Sequence, residues 1–195
     1  MKCLLCESFS LSHICNSCQE LYLTPKIYKR KLSNGIEVIS FYKYDEIKEL
    51  LFTKHTDLGF YIYQILAKNS FTKFTQNFKY DTKLTSIAVD DNVKNGYSHT
   101  AILNQALKSK NIEPIYNKLR ATNHISYSGK SREFRMMNPR NFKLNSFDSK
   151  EVIVIDDIIT TGSTLIQAIQ ALKQKDKKVL FCLTLVDVDN KKHSW

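Results

Sequence analysis

Apolar and polar positions are most orderly in the last quarter of the chain. Residues 152–155 are an unbroken apolar run, the pattern of a strand buried on both faces of a parallel sheet. Leu165, Ile169 and Leu172 follow at helical spacing with Ile166 beside them, which predicts an amphipathic helix over 164–174. A polar turn at 175–178 leads to a second apolar run at 179–186. Strand, helix and strand with short joints form a βαβ unit.

Earlier segments are weaker in pattern. Residues 36–43 alternate as a strand does. Ile47, Leu50 and Leu51 predict a helix over 45–54, and Tyr61, Ile65 and Leu66 a second over 58–69, with Lys54 and His55 at the junction. Residues 85–89 are β-like and run into Asp90 and Asp91, 98–110 carry a helical stripe of Ile102, Leu103 and Leu107, and 112–116 form a short strand. Residues 120–145 are polar and basic with no periodicity; excursions of this length in compact domains tend to be functional. The expectation is an α/β fold with a mostly parallel central sheet flanked by helices, preceded by a small N-terminal module.

Composition narrows the class. The chain has 195 residues, 43% hydrophobic and 25% charged, ordinary values for a globular protein of one domain with a small appendage. The N-terminus lacks the apolar core of a secretory signal, and no stretch reaches the ~20 apolar residues of a membrane helix, so a cytoplasmic chain without membrane insertion is expected. Net charge is +10, which favours polyanionic partners. The charge is concentrated: Lys118, Arg120, Lys130, Arg132, Arg135, Arg140 and Lys143 face a single Glu133 within 116–143, with Tyr116, Tyr127, Phe134 and Phe142 interleaved. Cations track a phosphate backbone and aromatic rings stack on bases, so these seven are candidate nucleic-acid contacts, single-stranded DNA above all. The plain alternative is a solvated loop and helix face.

Cys3, Cys6, Cys15 and Cys18 form two C-x2-C pairs eight residues apart. Each pair can aim two thiolates at one point, and two pairs supply the tetrahedral shell favoured by Zn2+. A structural zinc is expected on ligand spacing and a reducing compartment; two disulfides or an iron–sulfur cluster are the alternatives. Residues 1–24 are assigned to this module and 25–195 to the main domain. The module is too small to bury much core, and metal binding could supply on the order of 10 kcal/mol toward folding it. Cys182 lies in an apolar run and reads as a core residue.

The richest chemistry is in VIVIDDIITTGST, residues 152–164. Ligands of parallel sheets bind at the carboxyl ends of strands, where Asp156 and Asp157 stand. Thr160, Thr161, Gly162, Ser163 and Thr164 then form a turn into a helix, whose N-terminus offers unpaired N–H groups to a phosphate. Two acids would repel that phosphate, but they suit sugar hydroxyls. The combination fits a sugar phosphate better than a bare phosphate.

This stretch resembles the phosphoribosyl pyrophosphate (PRPP) loop of type I phosphoribosyltransferases, in which the two acids contact the ribose hydroxyls and the TTG-[SA]-T loop holds the 5-phosphate. The resemblance implies a phosphoribosyltransferase-like sheet and a phosphoribosyl site at Asp156, Asp157, Thr160, Thr161, Gly162, Ser163 and Thr164, with PRPP accompanied by Mg2+. Nearly the whole chain is similar to the ComF family of bacterial competence proteins. The match is carried by the paired C-x2-C motifs, by Lys54 after the first helix, and by Arg135-x2-Asn138-x3-Phe142. That family joins a zinc module to a phosphoribosyltransferase domain and is implicated in DNA uptake. The resemblance implies a cytoplasmic competence factor that handles incoming single-stranded DNA, with other competence proteins as partners.

The middle of the chain departs from the family. V-P-V-P is replaced by AVDDN at 88–92, and R-G-[FY]-N-Q by NGYSH at 95–99. Asp90, Asp91 and Lys54 are the candidates for pyrophosphate or Mg2+; two acids there need a bridging cation. Some purine-salvage transferases carry Asp where this chain has Thr160, which disfavours a plain purine transferase. An active phosphoribosyltransferase with an unidentified acceptor, or a PRPP-sensing scaffold, therefore stand beside the competence reading. No catalytic acid, base or nucleophile is assigned. His99 and His124 read as surface or core residues, because nothing in the sequence fixes a partner for either.

Overall fold

A computed structural model describes residues 1–89, 93, 96–123, 134, 137 and 140–188. Asp90 and Asp91, the basic residues Lys130, Arg132 and Arg135, and the histidines at 124 and 193 lie outside the described residues.

The elements are α1 (Asn16–Tyr22), β1 (Tyr28–Lys31), β2 (Glu37–Lys43), α2 (Tyr44–Leu51), a 3-10 turn (Phe52–His55), α3 (Asp57–Ala67), α4 (Lys73–Asn77), β3 (Leu84–Ala88), α5 (His99–Gln105), β4 (Ile112–Ile115), β5 (Leu119–Ala121), β6 (Phe142–Leu144), β7 (Glu151–Ile159), α6 (Ser163–Lys173) and β8 (Lys178–Asp187). Six strands form one sheet in the order β1-β2-β8-β7-β3-β4. Within this sheet, among the described residues, β1 and β2 pair antiparallel and the other ladders are parallel. β5 and β6 form a separate antiparallel ribbon.

Alternation along β7 divides the core in two. Val152 and Val154 point into an apolar layer with Leu165, Ile169 and Leu172 of α6. Ile153 and Ile155 point the other way, into a layer with Phe41, Ile62, Leu66 and Phe71. Successive strand residues face opposite sides, so a run that is apolar throughout needs cover on both. α2 to α5 cover one face and α6 the other.

Several boundaries differ from the periodicity. β7 does not stop at 155 but continues to Ile159, because β8 runs alongside it and pairs Asp156 with Thr184 and Ile158 with Val186. Helix α5 is shorter than 98–110, ending where Ala106 begins a turn; Leu107 stays buried from that turn. After α3 the chain runs through a π-helical stretch, Lys68–Thr72, directly into α4. The strand β1, absent from the sequence reading, shows the alternating half-buried pattern of an edge.

The N-terminal residues share the larger core. Cys3, Ile14, Cys18 and Leu23 pack in the same apolar cluster as Phe41, Tyr42 and Ile62. Polar ties reinforce the contact: Asn69 Nδ2 donates to Gln19 Oε1 at 2.9 Å, Tyr42 Oη donates to the Leu23 carbonyl at 2.8 Å, and the His13 ring stacks on Tyr61 at 4.6 Å. The expectation of a module with little core of its own is thus met by borrowing one. Among the described residues, no helix is long and apolar enough to cross a membrane.

Candidate functional site: a phosphate-type turn, its acids and a cysteine cluster

The four cysteine sulfurs of residues 3, 6, 15 and 18 lie within 4.8 Å of one another. Cys6 Sγ and Cys15 Sγ are 3.7 Å apart, close to the edge of a tetrahedron with Zn–S bonds of ~2.3 Å. The first pair sits on a knuckle closed by Cys3 N–H to Ser8 O and Leu4 N–H to His13 O, both 2.8 Å. The second straddles the start of α1, with Cys15 at its N-cap and Cys18 inside it. The Cys15 N–H donates to Cys3 Sγ at 3.3 Å, tying the pairs together. Burial opposes ionisation of Cys3, but backbone N–H groups, Cys15 foremost, hold its thiol down to about 6. Burial and the three neighbouring sulfurs push Cys18 up. Four thiols cannot all ionise at such spacing without a cation among them, so the donor set fits a metal such as Zn2+. All four are unbridged. Cys182 is buried, and burial together with Asp156 raises it to about 12, as expected of a core thiol.

At the carboxyl end of β7 the predicted site residues are brought together. Asp156 and Asp157 are only 7% and 5% exposed. As neighbours in an extended strand they leave it on opposite faces. Asp156 Oδ1 accepts from the Asp157 N–H at 2.9 Å. Asp157 Oδ1 accepts from the Ile158 N–H at 2.8 Å, and its Oδ2 lies 2.6 Å from Lys54 Nζ and 3.4 Å from His99 Nε2. Burial works against the charged form of Asp157, but the Lys54 ammonium and His99 outweigh it and hold the carboxyl well below the usual range. Of the two acids, Asp157 is the one paired with Lys54 and His99.

The turn follows. Gly162 is the N-cap of α6 with φ +78°, and the helix starts with Ile166 N–H to Gly162 O at 2.9 Å. A side chain here would be strained, since L residues disfavour positive φ. Thr161 Oγ1 donates to Ser163 Oγ at 3.2 Å and accepts from the Ser163 N–H at 3.4 Å. The first N–H groups of α6 have no partner within the helix, so the turn sets them and the hydroxyls of Thr160, Thr161, Ser163 and Thr164 where an anion can sit.

Lys54 is placed by the 3-10 turn. Tyr97 Oη donates to the Lys54 carbonyl at 2.5 Å and reaches the Thr56 carbonyl at 3.3 Å. Gly59 makes room for this: a Cβ there would lie 2.2 Å from Thr53 O and 2.3 Å from Tyr97 Oη. Ser98 caps α5 by accepting from Ala101 N–H, which delivers His99 toward Asp157. The residues at 95–99 that depart from the family pattern therefore include two that build the surroundings of Asp157. Sequence reasoning left His99 without a partner, because that partner is 58 positions away.

The basic candidates separate. Arg120 and Lys143 are cross-strand partners in the β5–β6 ribbon, and both are exposed. Lys118 Nζ donates to the Ser146 carbonyl at 2.8 Å, and the Arg140 N–H donates to Gln167 Oε1 at 2.7 Å. Arg30, Lys43 and Asp187 were not anticipated. Asp187, at the end of β8, is 2.9 Å from Lys43 Nζ and 3.3 Å from an Arg30 nitrogen, and Arg30 also donates to the Thr160 carbonyl at 2.6 Å.

The chain aligns with solved hypoxanthine phosphoribosyltransferases. The Staphylococcus aureus protein aligns with TM-score 0.42 and 17% identity over 68% of this chain and 67% of its own. The Trypanosoma cruzi protein, solved in complex with its product IMP, aligns with TM-score 0.38 and 20% identity over 64% and 65%. A search of curated proteins found no match. Residues 94–195, just over half of the chain and the part that carries the βαβ unit and its turn, match the phosphoribosyl transferase domain. The chain belongs to the phosphoribosyl transferase domain family.

Proposed function

We propose that this chain is a competence factor that binds PRPP and handles incoming single-stranded DNA in the cytoplasm, with residues 1–24 as a zinc module and 25–195 as a phosphoribosyltransferase-like domain. The observation that carries the reading is the placement of DDIITTGST at the carboxyl end of β7, running into the N-terminus of α6. In it the 5-phosphate sits on Thr160–Thr164, the ribose hydroxyls turn toward Asp156 and Asp157, and Mg2+ accompanies the pyrophosphate. Carboxylate oxygens are the hard donors that Mg2+ takes. Asp90 and Asp91 are assigned to the pyrophosphate end. Single-stranded DNA lies along the cationic stretch that includes Arg120, Arg140 and Lys143, and other competence proteins deliver or receive it.

The test is a thermal-shift titration of PRPP, with and without Mg2+, on the wild type and Asp157→Asn. A ligand that binds only the folded state raises its melting temperature. The wild type should shift and Asp157→Asn should not. An equal shift in both would place the ribose contacts elsewhere.

A second reading, an active phosphoribosyltransferase with its own acceptor, is favoured by the family match at 94–195. Pyrophosphate release from PRPP across purines, pyrimidines and amines distinguishes it. The departure of residues 88–92 and 95–99 from the family pattern favours a third, a domain that senses PRPP without turning it over. In that case PRPP shifts the melting curve while no acceptor releases pyrophosphate.

A further inference from the structure

The edge hairpin touches the phosphate-type turn at two points. Arg30, in β1, donates to the Thr160 carbonyl at 2.6 Å, although the two residues are 130 positions apart. Leu32, just past β1, packs on Gly162 so closely that a Cβ there would lie 2.5 Å from Leu32 Cδ2. Asp187 forms an ion pair with the guanidinium at 3.3 Å and is itself held by Lys43 at 2.9 Å. Val188 N–H to Ile159 O, 2.9 Å, keeps the ends of β8 and β7 together beside it.

We infer that Arg30 is a positioning residue for the phosphate turn. In a trans peptide the carbonyl and the following N–H point in opposite directions. Pinning the Thr160 carbonyl to Arg30 therefore aims the Thr161 N–H, the first donor of the turn, away from β1. A planar guanidinium can hold a carboxylate and a carbonyl at once, which an ammonium cannot do with the same geometry. Asp187 supplies a carboxylate beside the guanidinium, and its pairing with Lys43 keeps that carboxylate compensated when Arg30 is changed. The inference rests on reading residues 160–164 as the seat of the 5-phosphate.

The experiment compares the wild type, Arg30→Gln and Arg30→Lys by calorimetric titration with PRPP and with ribose 5-phosphate, alongside the ligand-free melting temperature of each. Arg30→Gln should weaken both ligands about tenfold or more, the scale of one lost charged hydrogen bond. Arg30→Lys should recover part of that loss and melt, without ligand, within a few degrees of the wild type. A merely structural arginine would lower the melting temperature and leave the affinity of the folded molecules intact, and that outcome overturns the inference. So does wild-type affinity in both variants. Should Arg30→Gln fail to fold, Arg30→Lys decides alone by the same comparison of affinity with melting temperature. A wild type that binds neither ligand removes the phosphate-turn reading and this inference with it, a result distinct from wild-type binding that the variants share.

Discussion

Lys54 Nζ lies 2.6 Å from Asp157 Oδ2, joining the 3-10 turn after α2 to a strand 103 positions later. Both side chains are largely shielded, at 19% and 8% exposure. Removing one partner of a shielded pair leaves the other charge uncompensated, which costs far more than the pair itself contributes. Lys54→Met should therefore destabilise the fold by about 3 kcal/mol. Lys54→Met combined with Asp157→Asn should recover much of the loss. Urea unfolding of the two single variants and the double variant measures the coupling; additive losses would show that the pair does not act as a unit.

Acid stability should report the same carboxylate. Asp157 ionises at lower pH in the folded chain than in the unfolded one, because Lys54 and His99 outweigh the burial that opposes its charge. Between those two values the unfolded chain binds more protons, so stability rises with pH there. The contribution is fully present above the unfolded value of ~3.9 and is lost as pH falls through the lower folded value. Urea midpoints from pH 5 down to pH 2 should drop more steeply in the wild type than in Asp157→Asn. Parallel curves would place the acid sensitivity in other groups.

Metal removal should be felt by the whole chain. Cys3 and Cys18 sit in one apolar cluster with Phe41 and Ile62, so the cysteine module cannot loosen without exposing the face under α3. Chelation, or Cys6→Ser, should lower the melting temperature of the entire chain in a single transition, since metal binding free energy acts as folding free energy. Elemental analysis should give one zinc per chain. Two separated melting transitions after chelation would show that the module folds independently.

Arg120 and Lys143 are cross-strand partners in the ribbon and both are exposed, which places two cations side by side. The double change Arg120→Ala with Lys143→Ala should weaken single-stranded DNA binding and reduce the dependence of log K on log salt by about 1 to 2 units, at ~0.7 per neutralised phosphate of a single strand. Fluorescence anisotropy over a salt series reads both quantities. An unchanged slope would move the contact elsewhere.

What the sequence made legible and what it hid follow from range. The βαβ unit from β7 to β8 and the turn within it are local, and spacing alone locates the apolar runs, Gly162 and the hydroxyls. The cysteine cluster is equally local, with all four ligands inside eighteen residues. The apolar pattern ends at Ile155 because carboxylates usually end a buried strand, whereas pairing with β8 carries β7 on and Lys54 compensates Asp157. The partners of Asp157 and Thr160 lie far off in sequence, on segments with no periodicity that marks them. Arg30 stands in a run of three basic residues that reads as surface charge, and only the hairpin's position beside β8 shows one of them turned inward. His99 was unreadable for the same reason.

The strand order also governs how this chain can meet others. β1 and β4 form the two borders of the sheet. β4 carries Pro114, which lacks a donor, and β1 exposes Lys29 and Lys31 on either side of the inward-turned Arg30. A proline and a run of cations are both poor templates for an incoming strand. Growth of the sheet from chain to chain is thereby discouraged at either border, so crowding of many copies need not zip their sheets into one.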